Sequence, residues 1–245
     1  MKREEKVSEA DKNVTALKTV NILGVGVVSS NKEQVINILS REINKRDLTR
    51  PFFVVTVNPE FVMEAQRDGE FKRILNKADL ALPDGVGLKL ASREMTEIIP
   101  GRKVVEELLN KKIKVFYLGG EYGVAKVMAQ KFGGEWDEGE KNIKAGEKET
   151  QRIVSKINKY QPDLLLVAYG APWQEKWIWR HREEIKAKVV IGVGGTFDSM
   201  AGRVKLPPKW VEKMGWEWLW RLKQEPWRWR RQLNLIKFVW RVLVK

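Results

Sequence analysis

The 245-residue sequence contains no cysteine and one histidine, His181. The lack of cysteine excludes disulfide bonds, thiolate metal sites and cysteine nucleophiles, and it is typical of a reducing compartment. A single histidine excludes metal sites built from several histidines, and a Ser-His-Asp arrangement would depend on His181 alone. Because His181 lies in a segment rich in Trp and Arg, we interpret it as a surface or packing residue.

Long hydrophobic runs are also missing. No apolar run approaches the ~20 residues that span a bilayer, and the charged residues 1–17 contain no apolar stretch typical of a secretory signal. Hydrophobic residues make up 43% of the chain, which is enough for a sizeable core, and charged residues make up 32%. The sequence therefore predicts a folded cytoplasmic protein rather than a disordered or membrane-spanning one.

Positive charge and tryptophan are concentrated near the C-terminus. Residues 203–245 hold 12 of the 46 Lys and Arg residues, three of the 32 acidic residues and seven of the 11 tryptophans. This segment therefore carries +9 of the net charge of +14. The change in composition predicts a boundary near residue 200, and the first predicted strand begins at Asn21. The expected parts are an N-terminal extension at 1–20, a main domain at 21–198, and a basic, Trp-rich appendage at 199–245.

Before that boundary, apolar strand patterns alternate with helical patterns such as Glu33–Ile43 and Val124–Phe132. Gly133–Lys148, rich in Gly and charge, is interpreted as a loop. This alternation predicts an α/β fold with a mostly parallel sheet and helices on both faces. The predicted strands are Asn21–Val28, Phe52–Asn58, Ala78–Asp84, Lys114–Gly120, Leu164–Gly170 and Val189–Gly195.

Ligands of such sheets bind beyond the carboxyl ends of the strands, so the residues there are the candidate site. Asp84 stands between Pro83 and Gly85 at the end of an apolar strand, where a carboxylate can act as a base towards a substrate hydroxyl. It could equally cap the next helix. Asp198 has the same two interpretations, with capping or bracing of the tail somewhat favoured.

Two cofactor signatures are absent. Ser29 stands where a dinucleotide-binding loop beginning at Gly24-Val25-Gly26 would have its third glycine, which disfavours a hydride-transfer enzyme. No Asp-x-Asp pair occurs, so the two-carboxylate grip on a metal–nucleotide diphosphate is missing. If the substrate is a nucleotide-sugar, arginine, lysine and backbone amides must neutralise its phosphates.

Several of these segments together resemble the WecG/TagA/CpsF family of bacterial glycosyltransferases, and most closely its TagA branch. The resemblance covers about residues 21–231. It is carried by the following segments: TVNPEF (Thr56–Phe61), PDGVG (Pro83–Gly87), GAPWQEKW (Gly170–Trp177), GVGGTFDSMAGRVKLPPKW (Gly192–Trp210) and EWLWRLKQEPWRWRRQ (Glu217–Gln232).

The resemblance implies a Rossmann-like α/β fold, with a mostly parallel sheet and helices on both faces, followed by a C-terminal helical membrane-binding appendage. It also implies an inverting, metal-independent enzyme without a cofactor. Such an enzyme moves N-acetylmannosamine (ManNAc) from UDP-ManNAc to undecaprenyl-diphosphate-linked N-acetylglucosamine (GlcNAc) and makes the linkage unit of wall teichoic acid. It also implies roles for individual residues. Asp84 would be the catalytic base, and the other matched residues would bind substrate: Thr56, Asn58, Gln174, Arg221, Arg228 and Arg231. Asp198 joins this group as a further candidate.

One position departs from the family pattern. Ile98 stands where the family usually has an arginine, and Lys103 where it has an aspartate. Arg102 is the nearby residue that could substitute in space, so we include it among the candidate substrate-binding residues.

The tail supports membrane binding independently of the resemblance. At 100° per residue, residues 227–245 place Arg230, Asn234, Lys237 and Arg241 on one narrow polar face, and the remaining circumference is mostly apolar. A helix with Trp and Leu opposite Lys and Arg lies in a bilayer interface rather than across it. We therefore expect a peripheral protein on the inner face of the cell membrane. Alternatively, the apolar face packs on the α/β domain or on another subunit.

Other functions remain open. Trp and Arg residues in alternation could bind nucleic acid, although that would not explain Asp84, and a non-catalytic membrane-recruited scaffold would also use the tail. Within the enzyme class, the donor could carry N-acetylmannosaminuronic acid or another hexose for an exopolysaccharide. The main prediction includes a UDP-sugar donor, a polyprenyl-linked acceptor and a membrane surface as partners, and no nucleic acid. A homo-oligomer is left open.

Overall fold

The computed structural model describes residues 17–46, 49–139, 147–226 and 229–244, and the side chains of 147, 213 and 230–232 are outside the description. Six parallel strands form the central sheet, in the order β4-β3-β8-β7-β5-β6. This confirms the predicted α/β fold with a parallel sheet. The strands are β1 (Lys18–Ile22), β2 (Val25–Ser29), β3 (Phe52–Val57), β4 (Leu80–Pro83), β5 (Val115–Gly119), β6 (Glu135–Asp137), β7 (Leu164–Ala168) and β8 (Val189–Gly192).

Both faces of this sheet are buried under helices. On β7, Leu165 and Val167 pack into one apolar cluster, whereas Leu164 and Leu166 pack into a second. Since successive side chains of a strand point to opposite faces, the two clusters are the two layers of the core. The helices are α1 (Lys32–Asn44), α2 (Pro59–Glu64), α3 (Gly69–Lys77), α4 (Gly87–Ala91), α5 (Gly101–Leu109), α6 (Val124–Phe132), α7 (Glu147–Tyr160), α8 (Trp173–His181), α9 (Thr196–Met200), α10 (Lys209–Lys213), α11 (Glu217–Gln224) and α12 (Trp229–Leu243).

The predicted first strand, Asn21–Val28, is wrong. The chain turns back at Leu23 and Gly24, both with positive φ, so β1 and β2 form an antiparallel hairpin that is separate from the central sheet. The side chain of Asn21 stabilises the turn by accepting a hydrogen bond from the Gly24 amide at 2.8 Å.

The loop predicted at Gly133–Lys148 is also partly wrong, because β6 and the beginning of α7 lie within it. Asp137 ends β6 and forms a two-hydrogen-bond ion pair with Arg152 of α7, at 2.7 and 2.9 Å. Burial alone would raise the pKa of Asp137, but the Arg152 guanidinium and the Gly139 amide outweigh it and lower the pKa to about 2. This ion pair therefore fixes the short edge strand β6 to α7.

The described residues from 199 onwards, which we call the C-terminal part, pack against the rest of the chain, which we call the α/β domain. Helix α12 packs against α2 and α4, and the Phe238 side chain is fully buried in the core of the α/β domain. The expected domain boundaries at 20/21 and 198/199 fall inside β1 and α9, respectively. The division into three parts stays a prediction.

Candidate active site

Asp84 follows β4 at the carboxyl edge of the sheet, as the sequence predicted. Its backbone amide donates to the Val57 carbonyl at 2.7 Å, which fixes it beside the end of β3. Its carboxylate Oδ2 accepts a hydrogen bond from the Gly101 amide, at the beginning of α5, at 3.2 Å. Burial raises the pKa of Asp84 to about 6; the Gly101 amide opposes this shift, nearby Glu217 adds to it, and Arg102 opposes it. Asp84 is thus ionised near neutral pH yet able to take up a proton.

The Asp84 carboxylate lies where two cavities meet. One has a volume of about 550 Å³ and the other about 160 Å³, and both are lined by Asp84, Pro100, Glu217 and Arg221. We call them the large and the small cavity. The C-terminal part supplies one wall of the large cavity, through Glu212, Gly215, Glu217, Trp218, Arg221, Leu235 and Val239. The pocket around the candidate base is therefore built from both parts of the chain.

A third cavity, of about 800 Å³, lies beyond the loops that follow β5, β7 and β8. We call it the loop cavity. Asp198 lines it, and burial raises the pKa of that carboxyl although Arg221 and Arg203 act in the opposite direction. Arg203 also lines it and places its guanidinium 4.3 Å from the centre of the Tyr122 ring. The lining of this cavity combines two tyrosines, glycine backbone, Arg203 and three carboxylates, those of Glu121, Asp198 and Glu225.

Arg221 lies between the large, small and loop cavities. It lines the large and small cavities, and its Nη2 donates to the carbonyl of Gly195, a residue of the loop cavity, at 3.2 Å. Its Nε donates to Glu225 Oε2 at 2.7 Å, which fixes the guanidinium on α11. Asp84 and Arg221, far apart in sequence, are thus brought into one cavity. Arg228 lies outside the described residues, and so does the side chain of Arg231.

Thr56 and Asn58 lie at the end of β3 beside Asp84. The Asn58 side chain caps α2 by accepting from the Phe61 amide at 3.0 Å, and the residue lines the large cavity. Thr56 is buried, and its hydroxyl donates to the Gly192 carbonyl of β8 at 3.3 Å. A side chain at position 101 would collide with the Thr56 methyl group, so glycine there lets α5 approach Asp84.

Gln174 is buried and connects two loops. Its Oε1 accepts hydrogen bonds from the amides of Gly170 at 3.1 Å and Gly194 at 2.9 Å, and its Nε2 donates to Glu175 at 2.6 Å. Gln174 therefore fixes the positions of the Gly170 and Gly194 loops, which line the loop cavity. Glu175, which sequence reasoning missed, is also fully buried, and burial raises its pKa to about 7.

Arg102 lines the small cavity, but its guanidinium is already paired. It donates to Glu106 at 2.6 Å and to Glu212 of α10 at 2.7 Å. Ile98 lines the large cavity together with Lys103, whose Nζ lies 3.6 Å from Glu212 Oε2. Arg102 thus joins α5 to the C-terminal part at the edge of the site. Glu212 and Glu217 were not identified from the sequence, where they look like ordinary solvated helix residues.

The exposed surface of the C-terminal part is rich in large apolar side chains. On α12, Ile236 and Trp240 are 66% and 64% exposed, whereas Phe238 between them is buried. Across residues 17–46, 49–139, 147–226 and 229–244, no helix is long and apolar enough to cross a membrane. Within the same residues, no group of three or more His, Asp or Glu side chains is placed to hold a metal ion.

Comparison with known proteins agrees with this geometry. The model of the glycosyl transferase WecG/TagA/CpsF family matches residues 20–245, which include both the strand ends and the C-terminal wall. The chain belongs to this family. The family assignment confirms the resemblance carried by the sequence motifs, and it identifies the protein as a glycosyltransferase.

Similar curated proteins bear one name. An N-acetylglucosaminyldiphosphoundecaprenol N-acetyl-beta-D-mannosaminyltransferase of Bacillus subtilis (strain 168) is 33% identical over 93% of this chain and 92% of its own length. The enzyme of that name from Bacillus spizizenii is 33% identical over 80% of each chain. One from Staphylococcus aureus (strain MRSA252) is 30% identical over 82% of this chain and 83% of its own.

Proposed function

We propose that this glycosyltransferase moves ManNAc from UDP-ManNAc to GlcNAc carried on undecaprenyl diphosphate, with inversion at the anomeric carbon. The product is the linkage unit of wall teichoic acid. The observation that carries the proposal is the cavity shared by Asp84, from the end of β4, and Arg221, from the C-terminal part. A base and a phosphate-binding cation are thereby placed in one pocket, as a sugar transfer from a nucleoside diphosphate requires.

The reaction is a single displacement. The 4-hydroxyl oxygen of the acceptor GlcNAc attacks the anomeric carbon of ManNAc and forms the new glycosidic bond, while the bond from that carbon to the β-phosphate oxygen breaks. The bonding electron pair leaves with UDP, and the hydroxyl proton passes to Asp84 Oδ. With the pKa of Asp84 raised to about 6, mainly by burial, the carboxylate is largely ionised at pH 7 and basic enough to assist.

The three cavities suit the three parts of the reaction. The acceptor occupies the large cavity, the nucleotide occupies the loop cavity, and the reacting groups meet in the small cavity beside Asp84 and Arg221. A guanidinium fork matches phosphate oxygens and can stabilise the charge that develops on UDP. In this arrangement Thr56, Asn58, Asp198 and Gln174 shape the substrate pockets. Arg228 and Arg231 would add positive charge near the diphosphate.

The protein acts at the membrane surface in this proposal. The apolar residues exposed on α12 enter the interface of the inner leaflet, and basic residues of the C-terminal part attract anionic lipid. Because the opposite side of α12 is buried in the α/β domain, binding to the membrane would bring the large cavity to the lipid-linked acceptor.

A transfer assay tests the proposal. Purified protein, UDP-ManNAc and a short polyprenyl-diphosphate-GlcNAc should give a disaccharide lipid and free UDP, also with a chelator present. A panel of UDP-sugars, including the mannosaminuronic acid donor, tests the choice of sugar.

The variant Asp84→Asn tests the base. It should bind UDP and fold normally but lose transfer, and near-normal turnover would remove Asp84 from the mechanism. A strict need for an added divalent ion would overturn the metal-independent reaction.

A further inference from the structure

Glu217 is a second carboxylate beside Asp84. It is the first residue of α11, it is half-buried, and it lines both the large and the small cavity, as Asp84 and Arg221 do. The two carboxylates come from different parts of the chain, one from the end of β4 and one from the C-terminal part.

The carboxylates around Glu217 are paired, but Glu217 itself is not. Glu212 accepts a hydrogen bond from Arg102 at 2.7 Å, and Glu225 accepts one from Arg221 at 2.7 Å. In the described part of the chain, the Glu217 side chain makes no hydrogen bond or ion pair. A carboxylate that faces a cavity without a partner has its oxygens available for hydroxyl groups of a ligand.

The order of charges along α11 matches the chemistry of the two proposed substrates. Glu217 is followed by Arg221 one turn later, and four residues of helix rise about 6 Å. The acceptor sugar is neutral and carries several hydroxyl groups, and the donor carries the diphosphate of UDP. A carboxylate suits the hydroxyl groups and would repel phosphate, whereas the guanidinium suits the diphosphate.

The surroundings of Glu217 agree with a role as a hydrogen-bond acceptor. Burial raises the pKa of this carboxyl, as does neighbouring Glu212, whereas Arg102 and Lys103 lower it. Among the residues that the structure describes, no cation pairs with it directly, so a ligand hydroxyl that donates to Glu217 displaces no existing ion pair.

We infer that Glu217 binds a hydroxyl of the acceptor sugar next to the attacking one and so positions that sugar against Asp84. This inference rests on the proposed function, because it names a contact to the substrate of that reaction. Glu217 is a substrate-binding residue in this scheme, and Arg221 keeps its role towards the diphosphate of UDP.

The purely structural role of Glu217 would be to stabilise the beginning of α11, where an acidic side chain interacts favourably with the helix dipole. If that were its only role, substitution of Glu217 would lower the stability of the fold and would change the KM values for donor and acceptor equally. A contact to the acceptor sugar predicts an effect on the acceptor alone, and that difference can be measured.

The test compares Glu217→Ala and Glu217→Gln with the full-length wild type, and uses Lys223→Gln, an exposed residue of the same helix, as matched control. Circular dichroism and thermal unfolding check the fold. We expect Glu217→Ala to raise the KM for polyprenyl-diphosphate-GlcNAc at least 10-fold and to leave the KM for UDP-ManNAc within 2-fold. Glu217→Gln, which keeps an acceptor oxygen, should lie between Ala and wild type. Lys223→Gln should match wild type.

Deoxy acceptors identify the contact. Wild-type enzyme should lose about 10-fold in kcat/KM with either the 3-deoxy or the 6-deoxy GlcNAc acceptor, and Glu217→Ala should lose nothing further with that same analogue. An unchanged acceptor KM, equal losses for donor and acceptor, or additive losses with both deoxy analogues would overturn the inference.

Failure of the proposed function gives a different result. If wild-type protein forms no disaccharide lipid, the proposed reaction is wrong, and direct binding of the acceptor analogue without donor then decides about Glu217. Binding weakened at least 10-fold in Glu217→Ala supports the contact, and equal binding, or no binding by wild type, overturns it.

Discussion

Arg102 of α5 donates a hydrogen bond to Glu212 of α10 at 2.7 Å, and this ion pair joins the α/β domain to the C-terminal part at the edge of the candidate site. Both side chains are largely buried, with 16% and 21% of their side-chain surface exposed. An ion pair in such a position is held more firmly than one on the open surface, because solvent screens it less.

A double-mutant cycle tests this connection. Arg102→Met and Glu212→Gln should each lower the free energy of unfolding by about 1–2 kcal/mol, and the double variant should lose less than the sum. Glu106→Gln removes the other partner of Arg102, on its own helix, and should cost only about 0.3–0.5 kcal/mol. Urea unfolding measures all four variants. Strictly additive losses would show that Arg102 and Glu212 are not coupled.

The pH dependence of transfer should report the ionisation of Asp84. Its pKa is raised to about 6, mainly by burial, and the base must be ionised to accept a proton. We expect kcat/KM to fall about tenfold per pH unit below about 6 and to be level above it. Since Glu217 adds to this shift, Glu217→Gln should move the acidic limb to lower pH. A wild-type profile that is flat from pH 5 to 8 would contradict a role for Asp84 as the base.

Glu175 should make stability depend on pH. Burial raises its pKa to about 7, so the folded state favours the protonated form and the penalty for ionising it grows between about pH 4.5 and 7. Glu175→Gln keeps the oxygen that accepts from Gln174 and carries no charge. We expect it to raise the free energy of unfolding by about 1–3 kcal/mol at pH 8 and to change it little at pH 4. Equal differences at both pH values would show that the buried charge is not responsible.

Phe238 should matter more for stability than its exposed neighbours. It is fully buried between the C-terminal helix and the core, whereas Trp240 is 64% exposed. Phe238→Ala should therefore cost about 3–5 kcal/mol, and Trp240→Ala no more than about 0.5 kcal/mol. Thermal and urea unfolding measure both. Similar losses in the two variants would contradict the packing of α12 on the α/β domain.

The exposed residues of α12 should instead affect membrane binding. Full burial of a large apolar side chain is worth about 1.5–3 kcal/mol, so the double variant Ile236→Ser/Trp240→Ser should bind vesicles containing anionic lipid at least 10-fold more weakly. Val127→Ser, an exposed apolar position on α6, is the matched control and should bind like wild type. Equal partitioning of all three proteins in co-sedimentation would contradict the proposed interface.

The sequence predicted much of the sheet because its strands are buried on both faces and therefore read as continuous apolar runs. It failed at Asn21–Val28, where the hairpin turn is made by Leu23 and Gly24, and a leucine with positive φ carries no turn signal. It also missed β6, since three residues at a sheet edge are too few to show a periodic pattern.

In the site, Asp84 could be identified because its position at a strand end is encoded locally, and the family motifs pointed to Arg221. The position of Glu217, the pairing of Arg102 with Glu212, and the burial of Gln174 depend on how the C-terminal part and the loops fold back on the sheet. Such long-range contacts cannot be predicted from the spacing of residues along the chain.

The cavity wall contributed by the C-terminal part has a consequence for synthesis in the cell. All six strands of the sheet end by Gly192, so during synthesis the residues of the sheet leave the ribosome before Arg221 and Phe238 do. The pocket around Asp84 then stays open on one side until the residues of its C-terminal wall have been synthesised. Catalytic competence is therefore expected to follow the formation of the sheet and to need α11 and α12, and a chain terminated before Arg221 would lack one wall of the pocket.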